Sequence, residues 1–144
     1  MKRHATANWS GALADGKGTL DTQSGALSSH GYSFKTRFED ESGKSGTNPE
    51  ELLAASHAGC FAMALSHALA ENGTPADNLE ANAVVTVEQV EGGFEVKSSA
   101  LTLKGNVPGI EDAKFQQLAQ DAKANCPISK ALGVIDITLD AKLV

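Results

Sequence analysis

The stretch TNPEELLAASHAGCFAMALSHALAEN, residues 47–72, decides how the rest of the chain is read. It has the length and apolarity of one long buried helix. Thr47 or Asn48 can cap its start, Pro49 suits the first turn, and Glu50 and Glu51 face the positive end of the helix dipole. ENGTP ends it, with Gly73 at the C-terminal cap and Pro75 beyond. Yet Cys60 sits at its middle, flanked by His57 and His67. A core helix carrying a thiol there raises the question of what the thiol does.

Working outward, the segments on both sides read as strands. HATANWSGAL gives a first strand, and GKGTLDTQSGALSS a hairpin turning near Ser24 and Gly25. YSFKTRFED alternates, with Tyr32, Phe34, Thr36 and Phe38 on one face and Ser33, Lys35 and Arg37 on the other. ESGKSG follows as a mobile connector. After the helix, residues 79–107 form two long alternating strands around Gly92 and Gly93, a hairpin. VPGIEDAKFQQLAQDAKANCP is a second helix, whose apolar face is Ile110, Phe115, Leu118, Ala119 and Ala122. PISKALG adds a short helical turn, and VIDITLDAKLV is the last strand. Strands, helix, strands, helix, strand is an α+β order: two long helices packed on a mainly antiparallel sheet, as a single domain over residues 1–144.

Composition narrows the function. The chain has 144 residues, 41% hydrophobic and 21% charged, which supports an ordered globular core. Its net charge is −6 with no lysine–arginine block, which disfavours a nucleic-acid partner. The basic N-terminus has no apolar run behind it, so it is not a secretory signal. Residues 52–69 contain Ser56, His57, Ser66 and His67, polar groups that are expensive at bilayer depth, so a buried helix is expected and not a membrane span. A cytoplasmic protein follows, and in a reducing cytosol a structural disulfide between the two cysteines, Cys60 and Cys126, is not expected.

Cys60 lies about three turns inside its helix, beyond the reach of the dipole, and burial alone would raise its pKa and leave it inert. A reactive Cys60 therefore needs a cation from elsewhere. Of the two arginines, Arg3 lies in a fraying end and Arg37 on a patterned strand, where it competes with the plain reading of a solvated residue beside Lys35. Glu50 is the carboxylate that would orient such a guanidinium. Glu50 and Cys60 are ten residues apart, about 15 Å of rise on a straight helix. Either the helix is broken or Glu50 meets the thiol of a second chain, in a dimer with interfacial sites. His57 and His67 share a stripe with Cys60; the plain reading is hydrogen-bonded core histidines, and three rivals stay open beside the redox one: a metal or ligand site using His57, Cys60 and Cys126, a cysteine hydrolase, and a binding module with inert thiols. Cys126, before Pro127, favours a thiolate if it starts a helical turn and disfavours one if it only ends the preceding helix.

The motifs TRFED, GTNPEELLAASHAGCFAMALS, VPGI, AKANCPISKAL and ITLDAKL occur in this order along nearly the whole chain and resemble the OsmC/Ohr family. The segment from Gly46 to Ser66 is the long and specific one, and the arginine in a TRF strand resembles the OsmC branch more than the Ohr branch. The length of ESGKSG and the small Gly59 before Cys60 are minor departures. The resemblance implies an intertwined homodimer that reduces organic hydroperoxides with no metal or bound cofactor, re-reduced by a dithiol, which in the Ohr branch is of the lipoyl type. It implies that Cys60 is peroxidatic and Cys126 resolving, joined in a transient disulfide, and that Arg37 and Glu50 assist.

Overall fold

The computed structural model describes residues 1–144. Its elements are β1 (Ala5–Ser10), β2 (Lys17–Thr22), β3 (His30–Ser33), α1 (Phe34–Phe38), α2 (Pro49–Glu71), β4 (Asn78–Val90), β5 (Gly93–Asn106), α3 (Asp112–Asn125), α4 (Pro127–Ala131) and β6 (Asp136–Leu143). The chain divides into two compact units, Met1–Leu52 and Leu53–Val144.

In the first unit β1, β2 and β3 form an antiparallel sheet in that order. The alternation across YSFKTRFED does not continue as a strand. After β3 the chain turns into α1, so Arg37 stands on a short helix and not on a strand. A capping box is the reason: the Ser33 hydroxyl accepts from the Thr36 N–H at 3.1 Å, and the Thr36 hydroxyl accepts from the Ser33 N–H at 2.9 Å. Phe34 and Phe38, four residues apart, then place their rings 5.0 Å apart on one side of the turn. The connector expected to be mobile is organised around Asp40. Its carboxylate accepts from the N–H and hydroxyl groups of Ser42 and Ser45 at 2.6–3.0 Å. The Ser42 and Ser45 hydroxyls, with their amides, hold it below the usual carboxylate range.

Asn48 caps α2, accepting from the Glu51 N–H at 2.8 Å. The helix then runs unbroken to Glu71. Its end is a Schellman turn: Thr74 N–H donates to the Leu69 carbonyl, Gly73 N–H donates to the Ala70 carbonyl, and Gly73 takes φ +80°.

In the second unit β4 and β5 form the expected long hairpin, with a register shift at Thr86 and Val87. β6 departs from the antiparallel pattern and pairs parallel to β5. The intervening α3 and α4 are the crossover that a parallel pair requires. The core joins Phe61, Leu65 and Leu69 of α2 to Leu101 and Leu103 of β5 and to Phe115, Ala119 and Ala122 of α3. Gly105 is needed here, since a Cβ on it would lie 2.7 Å from the Phe115 ring.

The long helix is less buried than its composition suggests. Only His57, Phe61, Leu65 and Leu69, a single row of every fourth residue, are buried. Of its most apolar 18-residue window, 22% is buried, and Met63 is 76% exposed. By length and hydropathy alone the helix could cross a membrane, although Ser56, His57, Ser66 and His67 interrupt it.

Candidate active site

Two sets of residues carry chemistry, one in each unit. In the first, Arg37 grips Glu50 as a fork: Nε donates to Oε2 at 3.0 Å and one terminal nitrogen to Oε1 at 2.6 Å. The capped turn of α1 holds the arginine, and the first turn of α2 holds the glutamate. The Arg37 guanidinium lies 4.6 Å from the centre of the Phe38 ring. The Arg37 and Glu50 side chains are 33% and 11% exposed, so the pair is sheltered but reachable. Beside it is an apolar cavity of about 310 Å³, lined by Trp9, Leu13, Tyr32, Phe34, Phe38 and Pro49 together with Arg37. The plain reading of Arg37 as a solvated residue does not describe this arrangement.

In the second unit the Sγ atoms of Cys60 and Cys126 lie 2.7 Å apart as free thiols. α2 supplies Cys60, which is partly exposed, and the junction of α3 with α4 supplies Cys126, which is fully buried. Cys126 is at once the last cap of α3 and the first cap of α4, so both orientations open in the sequence occur together.

The surroundings treat the two sulfurs differently. Burial pushes the Cys60 thiol up, and hydrogen bonding with Cys126 pushes it further, against one N–H from Ile128. Burial acts on Cys126 in the same direction, but hydrogen bonds from Cys60, from the Ser129 amide and hydroxyl and from the Ile128 amide outweigh it and hold its pKa below the usual thiol range. Sulfur geometry admits either thiol as donor. The donors around Cys126 make it the more acidic of the two sulfurs, and Cys60 the one that holds its proton more firmly.

The histidines do not flank Cys60 as a working stripe. His57 is fully buried, with Nδ1 2.7 Å from the Ser99 hydroxyl and Nε2 2.9 Å from the Ser129 hydroxyl. Burial pushes its pKa down, so it is a neutral core imidazole. His67 is exposed. A hydrolase would need a histidine free to take the Cys60 proton, and both His57 nitrogens are already engaged. Nor do His57, Cys60 and Cys126 converge on a common point, and no cluster of three His, Cys, Asp or Glu side chains is arranged to hold a metal ion. Ser99 and Ser129 were not singled out from the sequence. Ser129 had a signal, lying three residues after a cysteine that precedes proline, where a helix N-terminus directs its amides.

A pair of thiols in contact joins α2 to the junction of α3 with α4, and comparison with known proteins gives the family in which it stands. The family model described as OsmC-like protein matches residues 41–140, and the chain belongs to that family. Peroxiredoxin OsmC of Escherichia coli (strain K12) is 45% identical over 143 residues, covering 99% of this chain and 97% of that protein. The crystal structure of the organic hydroperoxide resistance protein OhrB of Bacillus subtilis superposes with a TM-score of 0.68 at 30% identity, covering 96% of this chain and 98% of that one. An organic hydroperoxide resistance protein from Elizabethkingia anophelis shares the fold at 24% identity, with a TM-score of 0.75 and coverage of 100% and 99%.

Proposed function

We propose that this protein is a cysteine-dependent peroxidase of the cytosol that reduces organic hydroperoxides to alcohols through Cys60. The observation that carries the proposal is the 2.7 Å approach of Cys60 Sγ to Cys126 Sγ, in a chain 45% identical to a peroxiredoxin. The Cys60 thiolate attacks the terminal oxygen of ROOH. The O–O bond breaks, the departing alkoxide takes up the proton that the Cys60 thiol gave up and leaves as ROH, and Cys60 becomes a sulfenic acid. Cys126 attacks that sulfur, an S–S bond forms and water leaves. A dithiol returns two electrons and two protons, restoring both thiols.

Cys60 on its own is a poor nucleophile, because burial and Cys126 keep its proton on. It needs a cation. The Arg37–Glu50 fork is that cation site, but Glu50 precedes Cys60 by ten residues on an unbroken helix, about 15 Å along the axis. A second copy of the chain supplies the fork in a homodimer. The apolar length of α2 left open, including Met63, is the face such a copy would cover. The cavity beside Arg37 then receives the hydrocarbon part of the peroxide, each buried CH₂ contributing about 0.8 kcal/mol, which favours alkyl hydroperoxides over hydrogen peroxide.

The test is consumption of tert-butyl hydroperoxide and hydrogen peroxide by protein supplied with dihydrolipoamide. The organic peroxide is expected to be consumed faster, and Cys60→Ser to abolish turnover. Turnover surviving in Cys60→Ser would overturn the proposal.

A further inference from the structure

Four buried polar side chains that the peroxide step does not use lie together, three of them joined in one continuous chain. Ser99 Oγ is 2.7 Å from His57 Nδ1, and His57 Nε2 is 2.9 Å from Ser129 Oγ. Ser129 stands at the third position of α4, the helix that Cys126 caps, and its hydroxyl acts to lower the Cys126 thiol pKa. Ser99, His57 and Cys126 are fully buried and Ser129 is 6% exposed. No buried side-chain nitrogen or oxygen in the protein lacks a hydrogen-bond partner. Burying four such groups together costs desolvation that an all-apolar core would avoid. Three of them come from different elements, β5, α2 and α4, so no local turn explains them.

Direction matters in this chain. A neutral imidazole donates from one nitrogen and accepts at the other. When Nε2 carries the proton, Ser99 donates to Nδ1, Nε2–H donates to Ser129, and the Ser129 hydroxyl proton is left free to turn toward Cys126. The Ser129 and Ile128 amides, at the start of the helix that Cys126 caps, act on its thiol in the same direction as that hydroxyl, whereas Cys60 has only the Ile128 amide.

We propose that His57, Ser129 and Ser99 are positioning residues for Cys126, holding its sulfur as the departing thiolate when a dithiol opens the Cys60–Cys126 disulfide. This rests on the reading of these two cysteines as a redox pair. An incoming thiolate reaches Cys60, which is partly exposed, and not the fully buried Cys126. A new S–S bond forms between the reductant and Cys60 while the Cys60–Cys126 bond breaks, and the electron pair leaves on Cys126. The reductant's second thiol then displaces Cys60, releasing a cyclic disulfide. Two electrons pass to the protein, and its two sulfurs take up the two protons of the dithiol. A leaving thiolate held by more donors departs faster and stabilises the reduced protein.

The test is the equilibrium and the rate of reduction of the disulfide by dithiothreitol, with the disulfide formed beforehand by diamide so that no peroxide step enters. Ser129→Ala is expected to shift the equilibrium about tenfold toward the disulfide and slow opening by a similar factor, since it removes a hydrogen bond to a charged group. Ser99→Ala, which acts only through His57, is expected to shift it in the same direction by less. A mere packing role moves thermal stability without this directional change. An equilibrium within about twofold of wild type in Ser129→Ala, or a shift toward the dithiol, overturns the proposal. If Ser129→Ala does not fold, Ser99→Ala is read by the same criterion. Wild-type protein that forms this disulfide with diamide but not with peroxide would sink the peroxidase reading alone.

Discussion

His57 is buried with two hydroxyls around it and no carboxylate, and this makes the fold sensitive to acid. Its pKa is lower in the folded state than the value of about 6.5 it has when unfolded. As pH falls through about 6.5 the unfolded chain binds the proton first, so stability declines toward acid and is restored above that value. The other three histidines are exposed, and the lowered Asp40 acts only in the ordinary carboxylate range and below. The urea midpoint of the reduced protein is therefore expected to drop between pH 7.5 and 5.5, roughly the window set by an unperturbed histidine. In His57→Gln that slope should flatten. An equal slope in both proteins would show that His57 is not the titrating group. The imidazole could be named from the sequence as a hydrogen-bonded core residue, but its partners could not. Ser99 and Ser129 are 42 and 72 residues away, and only the packing of β5 and α4 against α2 brings them in.

At the scale of elements, α1 shows how a local rule overrides a pattern. Alternation across residues 32–38 fits a strand, and the same residues fit a capped helical turn with a phenylalanine pair four apart. The cap wins because it satisfies amides that a strand at the sheet edge would leave to water. The consequence reaches the candidate site, since that turn sets where Arg37 meets Glu50. Ser33→Ala should destabilise the first unit by about 1 kcal/mol and slow peroxide-driven oxidation of Cys60, while leaving the dithiothreitol equilibrium of the cysteine pair unchanged. Unchanged oxidation kinetics would mean that the cap does not position Arg37. The two long helices, the β4–β5 hairpin and the turn after Cys126 were all legible, because each carries its own period and punctuation. The parallel pairing of β6 was not, because alternation is the same for either direction.

At the scale of the whole molecule, the account requires two copies of the chain. The sequence supplied the constraint, ten residues of helix between Glu50 and Cys60, and the unbroken α2 closes the alternative of a broken helix. Arg37→Lys and Cys60→Ser should each be inactive alone, the first because an ammonium lacks the fork that holds Glu50 and a thiolate together. Unfolding and refolding the two variants together should restore activity, at about one quarter of wild type per site for random pairing in a dimer. Activity staying at the level of the separate variants would place Arg37 and Cys60 in the same chain's site or remove Arg37 from it. The central claim, that peroxide drives Cys60 and Cys126 into a disulfide, is tested most directly by intact mass and free-thiol count after reduced protein meets one equivalent of tert-butyl hydroperoxide. The account predicts loss of both thiols and a mass lower by about 2 Da per chain, the two hydrogens given up as the S–S bond forms. Two thiols unchanged, or Cys60 oxidised with Cys126 still free, would contradict it.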